Sequence, residues 1–277
     1  MHFTKMQALG NDFVVIDLFK ESLPNPLEVA EKMCDRHFGI GADGLILVGP
    51  AEDADFSMRV INSDGSEAEM CGNGIRCLAR YVVESGLTAK TEFVTRSLRG
   101  LHTQVVSLDG RKFMDVTTSM GRPILQRNLI PMIGDNSEKV VNEMLPVDGH
   151  EYRITLVNVG NPHCVVYVDD VNKVNLDVLG PKFENHPLFP KRINTEFVQV
   201  LDKNNVRMRV WERGCGETLA CGTGATASVV ASILNGKTFD TVMVHLGYGD
   251  LIIEWRDHGE LFMTGSAQTA FTGEYRL

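Results

Sequence analysis

Apolar and polar residues alternate along this chain in short runs. FVVID (13–17), GLILV (44–48), MRVIN (58–62), EFVTR (92–96), TQVVSL (103–108) and KFMDV (112–116) fall in the first half. ITLVNV (154–159), CVVYV (164–168), EFVQVL (196–201), MRVW (208–211), TVMVHL (241–246), LIIEW (251–255) and LFMTG (261–265) fall in the second. They are short, rich in β-branched residues and bounded by Gly, Asn or Asp, which predicts strands. Two stretches carry helical spacing instead. NGIRCLARYVVES (73–85) stops at Gly86 and TGATASVVASILN (223–235) at Gly236, each glycine suited to the C′ position. The second is small or apolar on every side, so it should be buried. A further surface helix is predicted over 24–36.

The pattern occurs twice. MRVINSDGSEAEMCGNG (58–74) aligns without gaps to MRVWERGCGETLACGTG (208–224), with seven of 17 positions identical. The same shift of 150 residues places Gly10-Asn11 on Gly160-Asn161 and Gly86 on Gly236; nearer the ends it slips by one. Self-similarity on this scale predicts two domains of one design. The expected fold is α+β: two pseudo-symmetric β-rich domains, each a barrel-like sheet wrapped around a central helix. The first domain is expected over 1–118 and the second over 119–265. The tail, 266–277, lies outside the second repeat and is expected to cross back and complete the first.

Composition narrows the function. The chain has 277 residues, 23% of them charged, and a formal net charge of −9. An acidic balance argues against a general nucleic-acid binder. No stretch approaches the roughly 20 apolar residues that span a membrane. The start, MHFTKMQALGNDF, lacks the charged and apolar regions of a signal peptide, so a cytoplasmic protein with reduced cysteines is expected. The six cysteines form no C-x-x-C pair, and a metal site built from Cys71/Cys77 and Cys215/Cys221 would have unusual spacing. Neither GNG nor GTG fits a phosphate-loop pattern.

Cys71 and Cys221 are equivalent positions of the repeat, each followed by Gly-x-Gly and a helix. Unpaired N–H groups and the positive end of the helix dipole gather at such a place. Two consequences are expected. Each thiol pKa should fall below its free value, and the N–H groups should make a socket for a carboxylate. A buried cysteine before a helix is ordinarily a packing residue. Two at matching positions point instead to a pair that works together. If the repeats face each other across a pseudo-two-fold axis, a thiolate on one face of a carbon and a thiol on the other would invert it, with no redox or metal step. Asn11, Asn62 and Asn161 each sit beside a turn, where Asn commonly serves the backbone. Cys34, Cys77, Cys164 and Cys215 read as structural.

Several segments resemble the diaminopimelate epimerase family: LGNDF (9–13), GIGADG (39–44), NSDGSEAEMCGNGIRC (62–77), GNPHCV (160–165), RINTEFV (192–198) and WERGCGETLACGTGA (211–225). The resemblance runs along nearly the whole chain. It implies interconversion of LL- and meso-diaminopimelate in lysine synthesis, without pyridoxal phosphate or any other cofactor or metal, by a homodimer. It implies that Cys221 is the base for the LL substrate and Cys71 the acid, the roles exchanging in reverse. Gly72, Asn73, Gly222 and Thr223 would hold the reacting α-carboxylate. Asn11, Asn62, Asn161, Asn194 and Arg213 would line the site and read the distal amino acid. Glu212 with Arg213 suits a zwitterion, and His163 and Glu212 would tune the thiols. The chain departs from some members at Gly44, where they carry Gln; at Cys215, where many carry Ala; and at Phe271, where some carry an interface Tyr. Proline racemases and hydroxyproline epimerases share the paired cysteines but have MCGHG-like and DRSPCGTG-like motifs, and proline offers no second charged end to read. A phenazine-synthesis-type isomerase shares the architecture but is not expected to keep both cysteines. A thiol-based binding or redox-sensing protein is the alternative from another class.

Overall fold

The computed structural model describes residues 1–110, 112–134 and 138–276. The first half of the chain runs β1 (His2–Ala8), β2 (Asn11–Asp17), α1 (Pro26–Cys34), β3 (Gly44–Gly49), β4 (Phe56–Asn62), β5 (Glu67–Ala68), α2 (Gly72–Glu84), β6 (Glu92–Ser97), β7 (Gly100–Asp109) and β8 (Lys112–Gly121). The second runs β9 (Glu143–Val147), β10 (His150–Asn158), β11 (Pro162–Tyr167), α3 (Leu176–Glu184), β12 (Asn194–Val200), β13 (Asn205–Glu212), β14 (Gly216–Thr218), α4 (Gly222–Leu234), β15 (Thr241–Leu246), β16 (Gly249–Trp255), β17 (Leu261–Gly265) and β18 (Gln268–Glu274). Two compact units result: Met1–Ser119 with Thr264–Leu277, and Met120–Met263.

In the first unit the sheet is mixed. β18 and β2 flank β1 antiparallel, β2 runs parallel to β3, β3 antiparallel to β4, and β4 parallel to β6. β6, β7 and β8 continue antiparallel. Alternate residues serve opposite faces. Phe13, Val15, Ile46 and Val48 pack on α2 through Ile75, Leu78, Ala79 and Val82. Val14, Ile16, Leu45 and Leu47 pack on α1 through Val29, Ala30 and Met33. Both faces are covered, which is why these strands read as continuous apolar runs.

The second unit repeats the order of directions: β10–β11 antiparallel, β11–β12 parallel, β12–β13 antiparallel, β13–β15 parallel and β15–β16 antiparallel. The register repeats too. Phe13 faces Gly44 in β2–β3, and His163 faces Asn194 in β11–β12. Helix α4 is buried nearly throughout. Its polar residues are satisfied inside the helix: Thr226, Ser228 and Ser232 donate to the carbonyls of Gly222, Gly224 and Ser228 at 2.8, 2.8 and 2.7 Å. Helix α3, which the periodicity did not predict, buries Leu176 and Phe183 against Phe189 and Phe197. Among the described residues no helix is long and apolar enough to cross a membrane.

Candidate active site

Cys71 and Cys221 are the N-cap residues of α2 and α4. Their backbones are extended, at φ −133°, ψ 116° and φ −124°, ψ 109°. Each sulfur accepts from the N–H three residues on, Gly74 and Gly224, at 3.3 Å. The thiols thus take the place that a serine or aspartate oxygen fills at an ordinary N-cap. Gly72 and Gly222 are the first helical residues, so the N–H groups beside the sulfurs belong to the segments predicted to hold a carboxylate.

In the first unit, Cys71 Sγ lies 3.9 Å from Asn11 Oδ1, which also accepts from Asn73 Nδ2 at 3.1 Å. Asn11 Nδ2 donates to Asp43 Oδ2 at 2.7 Å, which fixes the amide's orientation. Asp43 and Asp12 share Arg36, whose Nη2 lies 2.7 Å from an oxygen of each. Asp12 is also paired with Lys5 at 2.5 Å. Asn62, at the end of β4, donates to Ser66 Oγ at 2.9 Å. Hydrogen bonds and ion pairs therefore join residues of β2, α2 and the 35–43 loop. Asp12 and Asp43 were legible only through their places within LGNDF and GIGADG, and Arg36, three residues before GIGADG, carried no signal. At Gly44 a Cβ would lie 2.8 Å from the Ile61 carbonyl oxygen, so β3 and β4 approach too closely here for the Gln found in some family members.

In the second unit, Cys221 is 6% exposed and its Sγ lies 3.3 Å from Thr223 Oγ1. Burial pushes this thiol well above its ordinary value, and Glu212 and Glu196 push it further; the Thr223 hydroxyl and Gly224 N–H pull the other way. The expected fall in pKa does not occur here, because burial and two carboxylates outweigh one helix terminus. Cys34 and Cys77 are raised by burial to about 11 and about 12, and Cys164 rises well above its ordinary value for the same reason. These three stay protonated in the core, as packing thiols do.

His163 and Glu196 form a fully buried pair, Nδ1 to Oε1 2.6 Å. His163 Nε2 lies 2.8 Å from Asn161 Oδ1, an acceptor, so Nε2 carries a hydrogen. Burial raises the Glu196 carboxyl, against the opposing pull of His163. Glu196 thus lies between His163 and Cys221. It was not singled out from sequence, although an acidic residue in the strand run EFVQVL, two places after Asn194, was the available signal. Glu212 accepts from Thr218 Oγ1. Asn194 is 4% exposed and spends its amide inside the protein: Nδ2 donates to Pro162 O at 2.8 Å, and Oδ1 accepts the Arg213 N–H at 2.9 Å. It therefore places Arg213, whose Nη1 donates to Lys191 O at 2.9 Å. Among the described residues, no group of three or more His, Cys, Asp or Glu is placed to hold a metal.

The model of the diaminopimelate epimerase family matches residues 3–126 and 155–270. The diaminopimelate epimerase of Acetivibrio thermocellus is 51% identical over 280 residues, covering 100% of this chain and 99% of its own. That of Pelotomaculum thermopropionicum is 50% identical over 278 residues, covering 99% of each. A hydroxyproline epimerase from Agrobacterium vitis has the same fold at 15% identity, with a TM-score of 0.72, covering 99% of this chain and 91% of its own. At that identity the likeness speaks for the fold alone. The full-length matches and the repeated Cys-Gly-x-Gly helix starts agree: the chain belongs to the diaminopimelate epimerase family.

Proposed function

We propose that this protein interconverts LL- and meso-diaminopimelate in lysine synthesis, moving a proton at one α-carbon between Cys71 and Cys221. The observation that carries the reading is the paired N-cap thiol: each repeat presents one sulfur beside its own helix start. In the LL direction Cys221, as thiolate, takes the Cα proton. The electron pair spreads onto the α-carboxylate, where N–H groups around Gly72, Asn73, Gly222 and Thr223 stabilise the growing charge. Cys71, as thiol, then gives its proton to the opposite face. One proton leaves the carbon and one arrives, and the ionised thiol changes from Cys221 to Cys71. From meso the roles reverse. Ionising Cys221 is unfavourable next to Glu212 and Glu196. A substrate ammonium against Glu212 offsets that carboxylate and makes the thiolate accessible.

Arg213 suits the distal carboxylate, with Asn11, Asn62, Asn161 and Asn194 shaping the site and His163 acting on Cys221 through Glu196. We read the two repeats as the working domains, 1–118 with 266–277 and 119–265. The protein is a homodimer of the cytoplasm in this reading, in keeping with a biosynthetic role. Strand β18 favours pairing of copies: it is exposed along nearly its whole length, and Phe271, 51% exposed, stands edge-on to Phe3 at 6.0 Å. The deciding experiment follows purified protein with diaminopimelate in D₂O, reading both isomer interconversion and deuterium at Cα. Cys71→Ala and Cys221→Ala should each lower interconversion by at least about 100-fold. Unchanged interconversion in either variant would sink the two-thiol mechanism, and exchange into proline but not diaminopimelate would replace the substrate.

A further inference from the structure

The duplication places Arg76 on Thr226 and Ile46 on Glu196, each pair 150 residues apart. The structure makes both equivalences physical. Arg76 Nη1 donates to Gly72 O at 2.9 Å, and Thr226 Oγ1 donates to Gly222 O at 2.8 Å: the same carbonyl, one turn back, in each helix. A Cβ on Gly74 would lie 3.3 Å from Ile46 Cδ1, and one on Gly224 would lie 2.8 Å from Glu196 Oε1. The two thiols therefore occupy matching backbones with different side chains behind them.

Behind Cys71 stands a cation. The Arg76 side chain is completely buried. Besides Gly72 O, its guanidinium donates to Ser266 O at 3.2 Å and to Asn73 Oδ1 at 2.6 Å. Asn73 in turn donates to Asn11 Oδ1, which lies 3.9 Å from Cys71 Sγ. Burial lowers Arg76 to about 10, and interaction with the neighbouring thiols acts in the other direction, so the guanidinium stays protonated at neutral pH and is felt at Cys71. Several other titratable groups nearby are already committed. Cys77 is held neutral by burial, Arg80 is paired with Glu84, and Asp12 and Asp43 are paired with Arg36. Behind Cys221 stand two acidic side chains: Glu212 on β13, and Glu196 on β12, which is bonded to His163 on β11. Thr226, in the place of Arg76, is neutral.

We propose that Arg76 is a positioning residue that makes the two thiols inequivalent, holding the ionised thiol at Cys71 and leaving Cys221 protonated when no substrate is bound. This rests on the reading that both thiols react. Proton transfer between two sulfurs needs one thiolate and one thiol. Equal sites would share the single proton between two forms, each ready for only one isomer. A buried guanidinium in one repeat, and carboxylates in the other, select the form whose thiolate is Cys71. A purely structural Arg76, tying α2 to the chain at Ser266, would leave the thiol ionisation unchanged.

The test is the pH dependence of iodoacetamide labelling at each thiol, read by mass spectrometry on full-length protein carrying Cys215→Ser, so that label on that peptide reports Cys221. The inflection is compared rather than the rate, because burial slows Cys221 at every pH. Cys71 should show its inflection at least about one pH unit below Cys221, a tenfold difference in thiolate at a given pH. Arg76→Gln should raise the Cys71 inflection by about one unit and leave that of Cys221 in place. Arg76→Lys, which keeps the charge, should restore most of the shift. Cys221 titrating at or below Cys71 in the unaltered protein overturns the proposal, whether or not the variants fold. So does a Cys71 inflection that Arg76→Gln leaves unchanged, or that Arg76→Lys raises as far as Arg76→Gln does. Isomer interconversion is a separate readout. Ordered thiols without interconversion would sink the proposed function only, and interconversion with equal thiols would sink this inference only.

Discussion

His163 Nδ1 and Glu196 Oε1 meet at 2.6 Å with neither side chain exposed to solvent. The pair crosses the parallel strands β11 and β12, whose partners Phe13 and Ile46 in the first unit are both apolar. Glu196→Ala would leave a buried imidazole with an unmet nitrogen, and breaking such a pair typically costs about 3–5 kcal/mol. Glu196→Gln keeps a hydrogen-bonding partner for Nδ1 and should cost less than about 1.5 kcal/mol. Urea denaturation of both variants measures the difference. Equal losses would mean that the pair contributes nothing specific.

The two glycines after the thiols should respond unequally. At Gly224 an added Cβ meets Glu196 Oε1 at 2.8 Å, and that oxygen is held by His163. At Gly74 the nearest atoms stand at 3.3 Å, and Ile46 Cδ1 is the free end of an aliphatic chain. Gly224→Ala should therefore destabilise by about 1–3 kcal/mol through overpacking. Gly74→Ala should fall near neutral, since alanine recovers up to about 1 kcal/mol of helix propensity. Thermal unfolding of the two purified variants decides, and a larger loss for Gly74→Ala would contradict the packing.

Acid should weaken the first unit through Asp12. Burial alone would raise its carboxyl, but hydrogen bonds and charge from Arg36 and Lys5 hold it at about 2, below the ordinary 3.8. A folded-state pKa below the unfolded one adds stability that is fully present above 3.8 and disappears as pH falls toward 2. With its side chain 18% exposed, solvent screening trims the contribution to about 1–2 kcal/mol. Asp12→Asn should be less stable than the unaltered protein by that amount at pH 7, and the gap should close between pH 4 and pH 2. A gap independent of pH, followed by urea midpoints, would show that the loss is not electrostatic.

These predictions also mark where sequence was legible. The apolar runs located most strands, because alternation and β-branching are local signals. The two central helices were legible from spacing, from small residues, and from Gly86 and Gly236, which sit at φ 73° and 63°. Helix α3 was not legible, because Gly180 and Pro181 interrupt its pattern; neighbouring aromatic rings hold it together. Cys71 and Cys221 stood out through the duplication. The charges behind them did not, because a lone Arg76 at a helical position reads as a surface residue, and a single Glu196 in an apolar strand looks like an irregularity until His163 is placed beside it. The direction of the Cys221 shift failed for the same reason: a helix terminus is visible in sequence, whereas burial and two converging carboxylates are tertiary.

The contact between α3 and β13 offers the last test, because it places Glu212 and Arg213 without touching either thiol. A Cβ on Gly180 would lie 2.1 Å from Trp211 Cδ2 and 2.4 Å from two more atoms of the indole. Trp211 Nε1 donates to Glu184 Oε2 at 2.7 Å, and Glu184 Oε1 accepts the Gly214 N–H at 2.9 Å and pairs with Arg192 at 2.8 Å. One carboxylate on α3 thus holds both the indole before Glu212 and the turn after Arg213. In Gly180→Ala either the ring or the helix must move, at a cost of about 1–3 kcal/mol. The displacement should pass to Arg213 and weaken recognition of the distal carboxylate. KM for diaminopimelate should rise at least about threefold while the thiol labelling profile stays fixed, since loss of uniform binding raises KM more than it lowers kcat. Tryptophan fluorescence should shift as Trp211 moves, with Trp255, in β16, as the unaltered reference. A fall in kcat with unchanged KM would place the effect on the thiols instead and refute the role given to α3.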